Sequence, residues 1–143
     1  RWSNQMRTIA DILSGRDMTV DEFMVLNRFW SRIRKIQRRR DTILTKNREL
    51  VGVALGQRRV HQKEVDIETL VSLTGLGRSS LQKTLRSMEK DDLIELYRDQ
   101  ADRRRTLVKP TQRYTDLSLD MYEETRMLIH ETLTQLESLR REK

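Results

Sequence analysis

The side chains in this 143-residue chain best suited to chemistry are cations and short polar groups gathered in two places. Arg78, Ser79, Ser80, Gln82, Lys83 and Arg86 fall close together, and Asp102, Arg103, Arg104 and Arg105 stand in a row farther on. Arginine can fork onto a guanine edge or a phosphate, serine and glutamine can hydrogen-bond base edges, and lysine neutralises phosphate. Bond-making chemistry finds no comparable set. The chain has no cysteine, which excludes disulfides, thiolate metal sites and thiol redox sensing. It has no glycine-rich phosphate loop, nucleophile elbow or believable carboxylate pair, so neither an enzyme nor a cofactor is expected. His61 and His130 read as surface or locally hydrogen-bonded histidines. Glu64, Asp66 and Glu68 lie near His61 without ligand spacing, so no metal site is expected.

The spacing around these residues indicates the elements that must hold them. Asp66 is a good helix N-cap, and Ile67, Leu70, Val71 and Leu73 follow near one face of a 3.6-residue period until Gly75 ends the run. A second helix is predicted from Arg78 to Lys90, with Leu81, Leu85 and Met88 inward and the polar, basic set outward. Leu93 to Arg98 then reads as a strand, Asp99 to Asp102 as a turn, and Thr106 to Lys109 as a returning strand. Two short helices joined through glycine suit a recognition helix in the major groove. A hairpin tipped with arginines suits a wing reaching an adjacent minor groove. Val65 is expected to complete the winged sheet.

In order and spacing, TGLGRSSLQKTLRSMEKDDLI and RDQADRRRTLVKPT resemble the recognition helix and wing of the MarR family of bacterial winged helix-turn-helix regulators. Asp102 and Arg104 occupy the family's Asp-x-Arg wing positions, followed by a strand and a terminal threonine, Thr111. The resemblance implies that Arg104 enters the minor groove and that Asp102 orients it or the nearby backbone by a charged hydrogen bond. Three positions depart from the pattern. Asp92 stands for the usual glycine, Gly77 for the usual serine cap, and Pro110 for the leucine before Thr111. The detailed likeness covers about a third of the chain, and with no cysteine present the family's peroxide-sensing mechanism is unavailable to it.

The flanks read as helices. Trp2, Met6, Ile9, Ile12 and Leu13 mark a short amphipathic helix, broken at Ser14 to Asp17. Thr19 and Glu22 form a capping box for a longer one with the stripe Phe23, Leu26, Phe29, Trp30, Ile33 and Ile36. That stripe reads as core or subunit seam. Phe29 and Trp30 are also candidates to line a small-molecule pocket. Arg38, Arg39 and Arg40 are either a solvated helix end or a phosphate clamp shared with Lys46, Arg48, Arg58, Arg59 and Lys63. Thr45 caps a third helix carrying Leu50, Val51, Val53, Ala54 and Leu55. From Gln112 to Glu142 runs one long helix with Leu117, Met121, Leu128, Leu133, Leu136 and Leu139. Thirty residues of helix span about 45 Å, too long to hide an apolar stripe against a small winged domain, so pairing with a second subunit is expected.

Composition agrees with amphipathic helices that keep wet faces: hydrophobic and charged residues each make up 36%, with one proline and five glycines. The net charge of +7 is uneven. Residues 28–63 hold twelve basic and two acidic side chains, whereas 114–143 hold four and seven, polarity that suits one phosphate-facing side. No apolar run approaches the roughly 20 residues of a membrane span, so a soluble, cytoplasmic protein without membrane contact is expected.

Together these features predict a mainly α (α+β) fold. Residues 1–44 would be N-terminal dimerisation helices, 45–111 a winged helix-turn-helix DNA-binding region, and 112–143 a C-terminal dimerisation helix. The family resemblance implies a homodimeric repressor on a pseudo-palindromic double-stranded operator, with a small aromatic effector as a possible release signal by analogy. The other reading is a winged-helix protein-interaction module without ligand control, whose mark would be an apolar or acidic outer face on 78–90.

Overall fold

The computed structural model describes residues 7–41 and 43–141. Its elements, in order, are α1 (Ile9–Leu13), α2 (Val20–Asp41), α3 (Lys46–Val60), α4 (Ile67–Thr74), α5 (Arg78–Lys90), β1 (Ile94–Arg98), β2 (Thr106–Pro110) and α6 (Gln112–Arg141). The chain forms two compact units, one of residues 40–121 and one of residues 1–39 with 122–143. Among the described residues, no helix is long and apolar enough to cross a membrane.

The 40–121 unit is the winged helix. Leu44 and Tyr114 are buried in the same core as Val51, Leu55, Leu70, Leu81, Leu85, Met88, Leu93 and Ile94. The inward Leu81, Leu85 and Met88 follow the helical repeat, and the contacts of α5 with α3, α4 and β1 close the core around it. Each fully buried aliphatic side chain here contributes about 1.5–3 kcal/mol of transfer free energy. Gly52 lets α3 come against α6: a Cβ there would lie 1.6 Å from the Tyr114 hydroxyl oxygen. Leu50 and Val53, also on α3, face solvent instead.

The strands pair antiparallel, from Ile94 opposite Pro110 to Arg98 opposite Thr106. Pro110 ends its strand, where its missing N–H costs little, and the next N–H, from Thr111, donates to the Leu93 carbonyl at 3.0 Å. The expected third strand is reduced to a single bridge between Asp66 and Leu107, with the Val108 N–H donating to the Val65 carbonyl at 2.8 Å. α4 begins one residue later, which leaves no length for a ladder.

The other unit is helical. Thr8 and Asp11 make a reciprocal capping box that opens α1, and Gly15, at φ 80°, follows its end. Trp2 and Met6, expected on the same helix, lie outside the described residues. Thr19 and Glu22 cap α2 as expected: the Glu22 N–H donates to the Thr19 hydroxyl at 3.1 Å and the Thr19 N–H to the Glu22 carboxylate at 3.0 Å. Within this unit α2 is tied to α6 by ion pairs of Arg32 with Glu131 (2.7 Å), Arg39 with Glu124 (2.5 Å) and Arg140 with Glu22 (3.1 Å). Phe23, Leu26, Phe29, Ile33 and Ile36 are half-buried, but Trp30 is 63% exposed and so lies off the predicted stripe. Adjacent helix positions point about 100° apart, so Phe29 and Trp30 cannot share one narrow face. Trp30 instead meets Phe29 edge-on, with ring centroids 6.0 Å apart.

Candidate nucleic-acid interface

The turn between α4 and α5 is built by caps. One Asp66 carboxylate oxygen accepts the Thr69 N–H at 2.7 Å, which anchors the first turn of α4. Gly75 ends α4 at φ 71°, a left-handed conformation that glycine adopts without a Cβ penalty. Gly77 precedes α5 and makes no side-chain cap bond. At the far end of α5 the Leu93 N–H donates to the Met88 carbonyl (2.9 Å) and the Asp92 N–H to the Glu89 carbonyl (3.1 Å). Asp92 itself sits at φ 59°. This is the left-handed stop that glycine usually supplies, and Asp is among the few residues that visit it readily.

Burying Leu81, Leu85 and Met88 forces the opposite face of α5 outward. Arg78, Ser79, Ser80, Lys83 and Arg86 are exposed and Gln82 is half-buried. Arg78 is drawn into an ion pair with Glu68 of α4. The remaining members form a polar, cationic surface one helix wide.

The wing tip is ordered by its own carboxylates. The Asp102 side chain accepts the Arg104 N–H at 3.1 Å and lies 3.5 Å from the Arg104 Nε. The Asp99 side chain accepts the Ala101 N–H at 3.0 Å, and the Asp99 N–H closes the loop onto the Arg105 carbonyl at 3.1 Å. Arg104 projects with its side chain 95% exposed, and Arg103 is exposed beside it. Arg105 differs from its neighbours. Its Nε donates to Asp66 at 2.9 Å and its Nη1 to Asp99 at 2.8 Å. Burial pushes the Asp66 carboxyl up, but the Thr69 hydrogen bonds and Arg105 outweigh it and hold it below the usual carboxylate range. The Asp66 hydrogen bond in turn raises Arg105 further, against the opposing effect of burial.

Several basic residues expected on a phosphate-facing surface have other partners. Arg48 is buried, donating to the Ile43 carbonyl at 2.6 Å and to Asp91 at 2.7 Å, with Ser87 also in contact, and so joins the start of α3 to the end of α5. A lone buried guanidinium would be costly, and Asp91 supplies the countercharge. Arg39 is held by Glu124, Arg40 lies against the Met121 sulfur, and Arg58 donates to the Glu64 carbonyl at 3.4 Å. Arg38, Lys46 and Lys63 are exposed, and exposed Arg59 approaches the Thr115 hydroxyl at 3.5 Å. His61 and His130 are exposed, and no group of three or more His, Cys, Asp or Glu among the described residues is arranged to hold a metal. In the helical unit a cavity of about 670 Å³ is lined by residues that include Arg32, Lys35, Ile36, Arg39, Met127 and His130, but by neither Phe29 nor Trp30.

A helix-turn-helix followed by a two-stranded, arginine-tipped hairpin defines a winged-helix protein. No protein-family model matches the chain, and no curated protein sequence does. Solved structures do match. A variant of the Staphylococcus aureus regulator MepR bound to an oligodeoxyribonucleotide superposes with TM-score 0.65 at 19% identity, covering 88% of this chain and 90% of that one. AbsC, a MarR-family transcriptional regulator from Streptomyces coelicolor, gives TM-score 0.55 at 15% identity, covering 96% of this chain and 89% of its own. BpsR of Bordetella bronchiseptica, whose DNA binding is regulated by 6-hydroxynicotinic acid, gives 0.51 at 21%, covering 82% and 95%. The fold is that of the MarR-family winged-helix regulators.

Proposed function

We propose that this chain is a MarR-family, sequence-specific DNA-binding transcription regulator that acts as a homodimer, most simply as a repressor. The observation that carries the proposal is the pairing of a helix that buries Leu81, Leu85 and Met88 and turns Ser79, Ser80, Gln82, Lys83 and Arg86 outward with a wing that projects Arg103 and Arg104. Gln82 and the serines would read base edges in the major groove, Lys83 and Arg86 would hold phosphates or a guanine, and Arg104 would reach the minor groove oriented by Asp102. Two such helices on a two-fold axis, about 34 Å apart, fit successive major grooves of an inverted repeat. The unpartnered apolar residues of the helical unit, among them Met24, Ile129 and Leu133, support a second copy as partner. A protein-interaction module would present an apolar or acidic outer face on α5, and this one is basic and polar.

Ligand control extends the same reading. The cavity in the helical unit is lined by Ile36, Met127 and Leu128, by Arg32 and Arg39 paired with Glu131 and Glu124, and by exposed Lys35, which would be the cation to meet a small aromatic acid. The regulation of BpsR by 6-hydroxynicotinic acid supports that class. Selection of genomic fragments by the purified protein, followed by titration at two salt concentrations, tests the DNA reading. The expected result is an inverted repeat with half-sites one helical turn apart. For that site, Gln82→Ala relaxes preference at one position by about 1–3 kcal/mol, and Arg104→Ala lowers the salt slope by about one. Enrichment of no sequence, with binding lost at moderate salt, would leave phosphate attraction only and sink the proposal.

A further inference from the structure

We propose that Arg105 is a positioning residue: together with Asp66 and Asp99 it forms a strut that fixes the wing to the first turn of α4, so that Arg103 and Arg104 are aimed before DNA arrives. The inference rests on the DNA-binding reading above and assigns a different job to one of the three wing arginines. Its basis is geometric. The guanidinium spans two carboxylates, Asp66 at 2.9 Å and Asp99 at 2.8 Å, whose side chains are only 16% and 14% exposed. Each carboxylate divides its oxygens. Asp66 uses one for the Thr69 N–H and the other for Arg105, and Asp99 uses one for the Ala101 N–H and the other for Arg105.

The backbone of Arg105 reinforces the link. Its carbonyl accepts the Asp99 N–H at 3.1 Å and its N–H donates to the Asp102 carbonyl at 2.9 Å, so the residue that reaches α4 also closes the loop carrying Arg103 and Arg104. Next to it, the bridge of Asp66 with Leu107 joins β2 to the start of α4. One cation therefore joins the cap of the helix that leads into α5, the base of the wing and the pose of its tip. A wing held in place loses less conformational freedom on binding than one that must be ordered by the DNA.

The two roles open to Arg105 differ in the sign of a simple experiment. Asp66→Asn and Asp99→Asn each add one unit of positive net charge, which phosphate attraction alone would turn into tighter DNA binding. Asparagine also remains a good N-cap, so α4 keeps its start. If Arg105 is a strut, both variants bind the selected operator more weakly, by about five- to tenfold at constant salt, a loss typical of a broken half-buried contact. In the DNA-free protein the amides of Asp99 and Arg105 exchange faster with solvent deuterium. In the Arg105→Ala background, Arg104→Ala costs less than it does in the wild type.

Operator affinity unchanged or tightened in both asparagine variants overturns the positioning role, and unchanged amide exchange overturns the strut itself. Failure of the wild-type chain to select any DNA sequence overturns the DNA reading and, with it, the positioning role. The exchange measurement still separates that result from failure of the strut, because it needs no DNA. Two variants at separate ends of the strut guard against one that fails to fold.

Discussion

The two units of the chain solve the burial problem differently. Among the described residues, the 40–121 unit buries an apolar set from Leu44 to Tyr114, whereas the helical unit buries Leu128 and leaves Ile12, Met24, Trp30, Tyr122, Met127, Ile129 and Leu133 exposed. Both are rich in amphipathic helix, so helix propensity does not account for the contrast. The difference is topological: in the winged unit α3, α4 and the hairpin pack around one helix, α5, while in the helical unit the long α2 and α6 are tied by ion pairs along their length. A helix with its apolar face open is complete as secondary structure and incomplete as a folded surface. The helical unit therefore leaves a larger share of its apolar residues uncovered than the winged unit, which exposes Val53, Val60, Leu73 and Leu119 around a closed core.

Four measurements test this contrast. The largest effect belongs to the closed core: Leu81→Ala should lower unfolding free energy by about 2–5 kcal/mol in urea denaturation, and a loss under 1 kcal/mol would show that α5 is not its centre. Gly52→Ala should follow, destabilising by about 1–3 kcal/mol in thermal unfolding because the added Cβ meets the Tyr114 ring and hydroxyl. Acid comes next. The Asp66 carboxyl titrates below its usual 3.8 in the folded chain, so its contribution is fully present above about pH 4 and lost as pH falls through the lower folded value. A pH series of urea midpoints should show that limb, and Asp66→Asn should flatten it.

The smallest effect belongs to the open face. Leu133→Ala should change the stability of dilute protein by less than about 0.5 kcal/mol, as surface substitutions do. At high protein concentration the same change should lower Tm and weaken self-association in sedimentation. If Leu133→Ala is silent at every concentration, the comparison between the units loses its functional meaning.

How far the sequence carried depended on how local each signal was. Asp66, Thr19 and Thr45 are caps read from a few residues, and each makes the bond its position predicts. The inward set Leu81, Leu85 and Met88 follows from one helical repeat, and the left-handed turn at Asp92 from the glycine it replaces. Arg48 and Arg105 were not legible in the same way. A basic side chain reads as solvated unless its partner is known, and their partners Asp91 and Asp66 lie 43 and 39 residues away. Nothing within one helical turn of Arg48 signals burial. Trp30 failed for the opposite reason. The helical repeat holds, but of two adjacent aromatic residues the inward face takes Phe29 and leaves Trp30 exposed.

Asp66 carries a consequence for how this chain can vary over descent. One of its oxygens begins a helix and the other steadies a hairpin contributed by residues far along the chain. Serine, threonine or asparagine would each preserve the first task and forfeit the ionic half of the second. The acceptable alphabet at position 66 is thus narrower than that of an ordinary cap. Among descendants of this gene, replacements at 66, 99 and 105 should arrive in concert.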